Sequence, residues 1–352
     1  MNAQIDARTR DQYSPEIHAI EDRDAKLKGV VVVDSTRRGP AVGGCRLWHY
    51  PDISSLHTDA MRLARGMTLK NALAGLPFGG GKAVIQMPTE PFDRRAMFEA
   101  FGRAVHALRG RYITAEDVGT TVPDMHAVRD QTHYVAGLGA EEGRAGGDPS
   151  PWTALGVFLS MQVAARVALG SELAGLRIAI QGAGGVGSNL AKLLLDEGAS
   201  VIVSDLDQAR LAALSARDGV TVVSPDAIQT VDADIYAPCA MGGAIDDACA
   251  ANLRVKLICG GANNQLANPS IASRLEERGI AYVPDYVANA GGIINVAAEY
   301  LNQTPDSVRG RVEQIAGRIQ TIMTRASAEG KSPAHVADEL AREVLAQSGA
   351  EP

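Results

Sequence analysis

The stretch Gly66–Lys82, GMTLKNALAGLPFGGGK, is the part of the sequence from which the fold can be built outward. Apolar residues recur upstream at helical spacing, so Lys70 is predicted to project from the end of an amphipathic helix. A turn at residues 76–78 follows, and three glycines then lead Lys82 into the apolar run 83–87, which is typical of a buried strand. Three adjacent glycines give up backbone entropy, which indicates that something approaches the main chain closely there.

Two lysines that converge on one cleft can divide the work of a catalytic site. One stays charged and binds an anion, while the other, desolvated beside a like charge, has its pKa lowered until it acts as a base near neutral pH. Lys70 and Lys82 would also fit as two solvated surface residues, and the stretch alone leaves both interpretations open. A phosphate-binding P-loop does not fit, because Leu76 stands where that motif needs Gly and Ala83 where it needs Ser or Thr.

The composition is that of a globular protein with room for two domains. The chain has 352 residues, of which 46% are hydrophobic and 21% charged. No apolar run reaches the length of a membrane span and the polar N-terminus does not resemble a signal peptide, so we expect no membrane association. A net charge of −7 argues against nucleic acid as the main partner.

The cysteines and histidines show no spacing typical of a metal site. The four cysteines include no CxxC pair and the seven histidines no HExxH, so we expect neither a bound metal nor a disulfide framework. Free thiols are typical of the reducing cytoplasm, which is where we expect the protein to reside. Cys239 is a candidate nucleophile, but no histidine lies near it in the sequence, and structural packing is favoured.

The first 150 residues are predicted to mix strands and helices. The predicted elements are strands at 30–33, 41–48 and 112–115 and a helix at 92–108. Gly43 and Gly44 interrupt the second strand. Asp117 follows the end of the third, and because ligands of α/β sheets lie at the carboxyl ends of strands, it is well placed to act. A solvated loop acid is the alternative.

The second half of the chain alternates strands and helices, which is typical of a doubly wound parallel sheet. Residues 137–150 are rich in Gly and charge and form the predicted linker, and Ser150-Pro151 would cap a long helix that reaches Ala168. The elements predicted beyond it are strands at 176–181, 200–205, 220–223, 233–237 and 256–259 and helices at 185–197 and 207–217. The last 50 residues are predicted to be helical.

A dinucleotide-binding turn lies between the first of these strands and the helix that follows. It reads GAGGVG and consists of Gly182, Ala183, Gly184, Gly185, Val186 and Gly187. Asp205 ends the next strand, 18 residues after Gly187, and this context makes the GxGxxG motif a strong signal. The glycines let pyrophosphate approach the helix N-terminus, while Asp205 would accept hydrogen bonds from the ribose and repel a 2′-phosphate. The neighbouring Leu206 and Asp207 supply no basic replacement, so NAD is predicted as the cofactor rather than NADP.

Seven motifs in one order resemble the amino acid dehydrogenase family that includes the leucine, valine, phenylalanine and glutamate enzymes. They are DSTRRGPAVGGCR, GMTLKNALAGLPFGGGK, TAEDVGT, QGAGGVG, APCAMGG, GGANN and PDYVANAGG, between about Val30 and Val296. The resemblance implies an α/β fold with an N-terminal substrate domain, residues 1–147, and a Rossmann-type NAD-binding domain, residues 148–324. Residues 325–352 would return to the first domain as C-terminal helices, and the active site would lie in the cleft between the domains.

The resemblance also implies roles for single residues. Lys70, helped by the backbone of Gly43 and Gly44, would bind the substrate α-carboxylate. Lys82 would be the catalytic lysine, and Asp117 would exchange protons with the amine and the attacking water. The nicotinamide end of the cofactor would be held by Thr153 and Asn263, and Cys239 is included in the predicted cofactor site.

The substrate side chain is expected to contact four residues, Val42, Ala115, Ile293 and Val296. Glutamate enzymes place a lysine where this chain has Val42 and tend to carry a hydroxyl where it has Val296. Ala115 stands where phenylalanine enzymes usually have Gly, and Ile293 with Val296 resembles a branched-aliphatic pocket. The resemblance therefore implies an apolar, leucine-like substrate.

The implied reaction is the reversible NAD-dependent oxidative deamination of such an L-amino acid to its 2-oxo acid and ammonia, carried out by a homo-oligomer. Phenylalanine dehydrogenase activity, within the same family, is the alternative. A non-catalytic NAD-binding sensor would need the same Rossmann turn, but it has no use for Lys70, Lys82 and Asp117 together. An acyl-transfer enzyme that used Cys239 would need a base that the sequence does not reveal.

Overall fold

The computed structural model describes residues 14–348, and the chain divides into two units. The first comprises the residues up to Leu138 and those from Leu345 onward, and the second comprises Gly139–Val344. The domains predicted from the sequence divide at 147/148 and 324/325, and these bounds stay a prediction. The parts of the predicted first domain that fall on residues 1–13 and 349–352 lie outside the described residues.

The first unit is built on a six-stranded mixed sheet. Its strands are β1 (Glu16–Asp22), β2 (Leu27–Ser35), β3 (Ala41–Val42), β4 (Cys45–Trp48), β5 (Gly79–Gln86) and β6 (Tyr112–Ile113). They lie in the order β1-β2-β5-β3-β6, and β4 also pairs with β5. The first three of this order are antiparallel, whereas β3 and β4 run parallel to β5, and β6 runs parallel to β3. The predicted interruption at Gly43 and Gly44 is confirmed, because these residues separate β3 from β4.

Three helices lie wholly within the described residues of this unit, namely α1 (Ile53–Leu73), α2 (Arg94–Ala107) and α3 (Val122–Arg129). Asp52 caps α1 by accepting a hydrogen bond from the amide of Ser55 at 2.7 Å. The helix packs its buried apolar face on β2 and β5, and Lys70 lies in its last turn, as predicted. The sequence analysis missed β1 and α3.

The three glycines before Lys82 belong to β5 itself, so the strand predicted at 83–87 begins already at Gly79. A Cβ on Gly79 would lie 1.8 Å from the carbonyl oxygen of Ser35 in β2. One on Gly80 would lie 2.1 Å from the amide nitrogen of Thr68 in α1. Both contacts are far inside van der Waals distance, so a neighbouring strand and helix account for the predicted close approach to the main chain.

The second unit holds a six-stranded parallel sheet. Its strands are β7 (Arg177–Gln181), β8 (Ser200–Ser204), β9 (Val220–Val222), β10 (Ile235–Pro238), β11 (Leu257–Ile258) and β12 (Ala281–Tyr282). They lie in the order β12-β11-β10-β7-β8-β9, and every pairing is parallel. The chain starts in the middle at β7, builds one half outward and returns to build the other. This order is the doubly wound Rossmann topology that the sequence analysis predicted, with its switch point between β7 and β10.

Nine further helices follow residue 149 in the part of the chain that the structure describes. They are α4 (Ser150–Leu169), α5 (Gly185–Asp196), α6 (Gln208–Ser215), α7 (Asp247–Asn252), α8 (Ser270–Glu277), α9 (Asp285–Ala288), α10 (Gly291–Tyr300), α11 (Pro305–Glu329) and α12 (Pro333–Gln347). The prediction that Ser150 caps α4 is wrong. Ser150 is the first helical residue, Pro149 occupies the cap position, and the amide of Ser150 donates to Oδ1 of Asp148 at 2.9 Å.

α4 corrects the expectation that no apolar run reaches the length of a membrane span. By length and composition this helix could cross a membrane, because its most apolar stretch of 18 residues has a mean hydropathy of 1.4. In the structure 56% of this apolar stretch is buried, and the helix packs against α5 and α11. α4 is therefore placed as a core helix of the second unit.

Candidate functional site

Lys82 and Asp117, the predicted catalytic pair, are joined by an ion pair in the first unit. Nζ of Lys82 lies 2.7 Å from Oδ2 of Asp117, and the two side chains are only 6% and 15% exposed. Lys82 lies in β5, while Asp117 lies in the loop after β6. β4 lies between these segments, because it pairs with β5 and the amide of Cys45 donates to the carbonyl oxygen of Ala115 at 2.8 Å. The arrangement contradicts the alternative in which Asp117 is a solvated loop acid.

The loop that carries Asp117 is held tightly against β4. The hydroxyl of Thr120 accepts a hydrogen bond from the amide of Asp117 at 2.9 Å and lies 3.0 Å from the carbonyl oxygen of Cys45. A Cβ on Gly44 would lie 2.8 Å from the Cβ of Asp117 and 2.5 Å from the carbonyl oxygen of Glu116. Gly44 therefore provides the space in which Asp117 approaches the sheet.

Arg46, to which the sequence analysis assigned no role, contacts the same oxygen of Asp117 as Lys82 does. Its Nε lies 3.3 Å from Oδ2, and its Nη1 lies 3.0 Å from Oδ2 of Asp59 in α1. Burial raises the pKa of Asp117, but the charges of Lys82 and Arg46 outweigh burial and hold that pKa below its usual range. The carboxyl group is therefore ionised at neutral pH.

The predicted carboxylate-binding residues belong to segments that are tied together. The hydroxyl of Tyr112 donates to the carbonyl oxygen of Gly43 at 2.5 Å, which orients the peptide between Gly43 and Gly44. Next to Lys70, the buried amide of Asn71 donates to the carbonyl oxygen of Gly79 at 2.6 Å. This bond fixes the end of α1 to the strand that carries Lys82.

The four residues predicted to line the side-chain pocket are divided between the units. Val42 and Ala115 are buried in the first unit, at the end of β3 and just after β6. Ile293 and Val296 are half-buried in the second unit, three residues apart on α10 and therefore on one face of that helix. The assignment of these four residues to one side-chain pocket stays a prediction.

The predicted dinucleotide turn in the second unit has the backbone that its glycines suggest. Gly182 has a φ of +102°, and a Cβ on Gly187 would lie 1.9 Å from the carbonyl oxygen of Gly182. Gly184 caps α5, which begins at Gly185. The turn can therefore come close to a pyrophosphate at the N-terminus of α5.

Asp205 joins this turn to the end of β8. Its Oδ2 accepts a hydrogen bond from the amide of Ala183 at 2.6 Å, and its Oδ1 accepts one from the amide of Asp207 at 2.8 Å. Burial raises the pKa of Asp205, but these two bonds and the charge of Arg210 outweigh burial and lower the pKa. Asp205 is consequently an anion in a fixed orientation.

A cavity of about 540 Å³ opens beside this turn. The predicted residues Gly182, Gly184, Asp205 and Cys239 line it, and so does Arg210. The sequence analysis missed Arg210, which lies in the first turn of α6, five residues after Asp205, and forms an ion pair with Asp207 at 3.3 Å. The volume and the mixture of glycine backbone, carboxylate and apolar wall fit the adenosine end of a dinucleotide.

The sequence of this chain matches two family models of known proteins. The family model "Glu/Leu/Phe/Val dehydrogenase, dimerisation domain" matches residues 13–134, and the model "Glutamate/Leucine/Phenylalanine/Valine dehydrogenase" matches residues 148–209 and 203–344. The chain belongs to the Glu/Leu/Phe/Val dehydrogenase family. It is therefore an amino acid dehydrogenase, an oxidoreductase whose chemistry is consistent with a nicotinamide cofactor.

Individual relatives are similar over nearly the whole dehydrogenase chain. The leucine dehydrogenase of Bacillus subtilis (strain 168) is 44% identical over 324 residues, which cover 92% of this chain and 89% of that protein. The valine dehydrogenase of Streptomyces albus is 42% identical over 334 residues, covering 94% and 92%. The crystal structure of L-tryptophan dehydrogenase from Nostoc punctiforme superimposes with a TM-score of 0.82 at 35% identity and covers 95% of this chain and 96% of that one.

The remaining predicted cofactor residues of the dehydrogenase lie around the same sheet of the second unit. Thr153 is in the first turn of α4, where its hydroxyl donates to the carbonyl oxygen of Pro149 at 3.0 Å. Oδ1 of Asn263 accepts a hydrogen bond from Nδ2 of Asn289 at 2.9 Å, and Nδ2 of Asn289 also lies 3.2 Å from the carbonyl oxygen of Gly261. A Cβ on Gly261 would lie 2.5 Å from the side chain of Val186, which brings this loop to the predicted turn.

Cys239 lacks the properties of a nucleophile. Burial raises the pKa of its thiol to about 11, so the reactive thiolate is scarce at neutral pH. Its amide donates to the carbonyl oxygen of Gln181 at 2.8 Å, which holds the end of β10 beside β7. The geometry therefore favours structural packing, and the acyl-transfer alternative loses its reactive group.

Proposed function

We propose that this dehydrogenase catalyses the reversible NAD-dependent oxidative deamination of a branched-chain, leucine-like L-amino acid to its 2-oxo acid and ammonia. The observation that carries the proposal is the 2.7 Å contact between Lys82 and Asp117, a buried cation and anion beside the paired glycines Gly43 and Gly44. The similarity to a leucine dehydrogenase at 44% identity supports the substrate class.

Four groups of the first unit divide the chemistry on the substrate. Lys70 and the backbone of Gly43 and Gly44 hold the α-carboxylate by charge and hydrogen bonds. NAD, when bound, would accept the hydride from the α-carbon, and the substrate would then be the protonated imine. Lys82 takes a proton from the water that adds to the carbon of the protonated imine, and Asp117 relays that proton to the nitrogen. The C–N bond then breaks and ammonia departs, while the added hydroxyl returns its proton to Lys82 and becomes the carbonyl of the 2-oxo acid. The buried ion pair supports this division because it keeps proton donor and proton acceptor in contact.

The second unit is proposed to bind NAD rather than NADP. The glycines of the turn at 182–187 receive the pyrophosphate, and Asp205 accepts from the ribose hydroxyls. Thr153 and Asn263 hold the nicotinamide end, and Cys239 forms part of the wall. Arg210 is a cation on the wall of this cavity, but its positive charge is partly neutralised by the ion pair with Asp207. The carboxylate of Asp205, which is held in place by the amide of Ala183, repels a 2′-phosphate.

The substrate side chain is proposed to lie against Val42, Ala115, Ile293 and Val296. Aliphatic walls favour leucine, valine or isoleucine by burial of apolar area. A second carboxylate would lose its hydration against such walls without a partner in return. We therefore propose that glutamate is excluded and that phenylalanine is a weaker substrate than leucine.

The domain bounds, assembly and location are also proposed. The substrate domain comprises residues 1–147 together with 325–352, and the NAD-binding domain comprises residues 148–324. We propose a homo-oligomer in the cytoplasm, independent of nucleic acid and membrane. A family model whose description includes a dimerisation domain supports assembly, and four free cysteines support a reducing compartment. Light scattering of the purified protein tests the subunit number.

The test is NADH formation from NAD with a panel of amino acids, namely leucine, isoleucine, valine, phenylalanine, tryptophan and glutamate. The branched-chain members are expected to give the highest kcat/KM, with ammonia and the 2-oxo acid formed in equal amounts. Lys82→Ala gives the background rate. If no amino acid raises NADH formation above that background, the proposed function is wrong.

A further inference from the structure

We infer that Arg46 is a positioning residue for proton transfer at Lys82. It is a second cation, besides Lys82, that contacts the carboxylate of Asp117. When Lys82 releases its proton, Arg46 therefore keeps this buried carboxylate paired. The consequence for catalysis rests on the proposed function. The arrangement of charges rests on geometry alone, because Lys82 and Arg46 approach one oxygen, Oδ2 of Asp117, at 2.7 Å and 3.3 Å.

On the side away from Asp117, Arg46 is bound by a residue of α1. Its Nη1 lies 3.0 Å from Oδ2 of Asp59, and the hydroxyl of Tyr50 donates to that same oxygen at 2.6 Å. Arg62 pairs with the other oxygen of Asp59 at 2.9 Å. The side chains of Arg46 and Asp59 are 17% and 16% exposed, so Arg46 is fixed between two carboxylates.

The charges along this row alternate in sign. Lys82, Asp117, Arg46 and Asp59 form two cation–anion pairs, so the row is neutral when all four are ionised. If Lys82 gives up its proton, Arg46 still neutralises Asp117. Without Arg46, the same step would leave Asp117 as an uncompensated charge in a poorly hydrated site, which opposes loss of the proton.

Arg46 is suited to this role because a guanidinium does not lose its proton in proteins. It therefore remains a cation beside Oδ2 of Asp117 whatever the protonation state of Lys82.

The other titratable groups around the row do not replace Arg46. They are Cys45 on β4, Tyr112 on β6, Arg94 on α2, Asp124 on α3 and Lys70 on α1. Burial raises the pKa of the Cys45 thiol and of the Tyr112 hydroxyl, so both are neutral. Arg94 and Asp124 pair with each other at 2.7 Å. Lys70 is unchanged in the variants described below.

The test measures the proton affinity of the Lys82 amine by competitive acetylation across a range of pH, read by mass spectrometry of the peptide that carries Lys82. In Arg46→Met the midpoint of labelling is expected to move to higher pH by about one unit, a tenfold rise in proton affinity. Arg46→Lys keeps a cation and is expected to restore most of the wild-type midpoint. Arg103→Met, which removes an exposed arginine paired with Asp22, is the control and should leave the midpoint unchanged.

Arg46→Met leaves Asp59 with the more exposed Arg62 as its ion-pair partner, so the double variant Arg46→Met with Asp59→Asn is the safer form for folding. The asparagine oxygen can occupy the position of Oδ1 and accept from Arg62, while the asparagine amide nitrogen occupies the position of Oδ2 and can donate to the hydroxyl of Tyr50. The same rise in midpoint is expected in the double variant. An unchanged midpoint in a folded double variant would overturn the inference.

Activity gives the second measurement. If the proposed function holds, the acid limb of kcat/KM for amino acid oxidation moves to higher pH in parallel with the labelling, and activity at high pH approaches that of the wild type. A uniform fall at every pH without displacement of the limb would mark Arg46 as merely structural. If the wild type oxidises no amino acid, the proposed function fails, while the labelling still decides the inference about Arg46.

Discussion

Nζ of Lys82 and Oδ2 of Asp117 lie 2.7 Å apart, although β5, which contains Lys82, and β6, which precedes Asp117, are not paired with each other. The interrupted strand formed by β3 and β4 lies between them, and its break is Gly43-Gly44. Because those two residues have no side chains, the lysine and the aspartate can reach each other across the middle strand. A cation and an anion are thereby brought together beside the backbone of Gly44.

Removing the proposed base should affect turnover more than binding. Lys82→Ala is expected to lower kcat by roughly 10²–10⁴-fold, the range for losing a positioned general base, with NAD binding retained. Lys70→Ala should instead raise KM for the amino acid, because it removes a charge pair present in both ground state and transition state. Steady-state kinetics measures both, with the exposed Lys28→Ala as control. Near-normal turnover by Lys82→Ala would end this mechanism.

Gly44→Ala tests whether the break in the middle strand is needed for the ion pair. The added Cβ would lie 2.5 Å from the carbonyl oxygen of Glu116 and 2.8 Å from the Cβ of Asp117, so the loop must move. We expect a loss of about 1–3 kcal/mol in the free energy of unfolding and a fall in kcat.

The matched control is Gly66→Ala on α1, where an added Cβ meets nothing within 4 Å. Alanine in a helix is favoured over glycine by about 0.5–1 kcal/mol, so this variant should be as stable as the wild type or more so, with unchanged kcat. Urea unfolding and steady-state kinetics of both variants decide the matter. Equal kcat for Gly44→Ala and the wild type would show that Asp117 need not stay in place.

Asp205→Ser should narrow the preference for NAD over NADP. The substitution removes a fixed anion that repels a 2′-phosphate and leaves Arg210 in the same cavity, so the ratio of the two kcat/KM values should fall by about tenfold or more. In the double variant with Arg210→Ala the gain in NADP use should disappear. Asp196→Ser, an exposed acid at the end of α5, is the control. Equal wild-type efficiency with the two cofactors would show that Asp205 does not face the ribose.

Cys239 should resist alkylation at neutral pH. With the pKa of its thiol raised to about 11 by burial, the thiolate fraction increases only as the pH approaches that value. Iodoacetamide at pH 7.5 is therefore expected to modify Cys239 roughly a hundredfold more slowly than a small free thiol. Mass spectrometry of the intact and digested protein measures the rate, and Cys239→Ser should remain active. Rapid stoichiometric labelling of Cys239 at pH 7.5 would contradict the raised pKa of its thiol.

Much of the fold could be predicted because its signals are local. In the second unit most strands are short apolar runs bounded by glycine or a helix start, so a doubly wound parallel sheet could be predicted together with the GxGxxG turn, although the two-residue edge strand β12 was missed. The misses have local causes as well. β1 (Glu16–Asp22) carries charged residues along an exposed edge, and α3 (Val122–Arg129) is only two turns long and contains a proline.

Residues of the candidate site could be predicted from the sequence only where they lie together in one motif. Lys70 and Lys82 lie in a single stretch, but the role of Arg46 depends on Asp117 and Asp59, which reach it from other elements of the sheet and helix layer. The glycines Gly79 and Gly80 showed that something packs closely, yet their sequence could not show whether a ligand or the protein itself does so. Such relations arise from tertiary contacts and have no local pattern.

Substrate choice provides the last prediction. With Val42 in place of the lysine of glutamate enzymes and Val296 in place of their hydroxyl, a buried second carboxylate would cost several kcal/mol, by the order of magnitude for an unpaired charge, so glutamate should be a very poor substrate. Leucine, valine or isoleucine should exceed phenylalanine in kcat/KM, but one extra methyl on a pocket wall discriminates by only about 1–3 kcal/mol.

Ala115→Gly combined with Ile293→Ala should therefore move the preference toward phenylalanine, because the first substitution removes the methyl group of Ala115 and the second removes the three carbons of Ile293 beyond Cβ. Ile293→Ala alone is the control, because α10 then loses bulk while Ala115, buried after β6, keeps its methyl. The ratio of kcat/KM for leucine to that for phenylalanine is measured in each variant, and the double variant should show the larger change. A wild-type enzyme that turns over phenylalanine about tenfold more efficiently than leucine, a difference of about 1.4 kcal/mol, would show that these residues do not form the walls of the side-chain pocket.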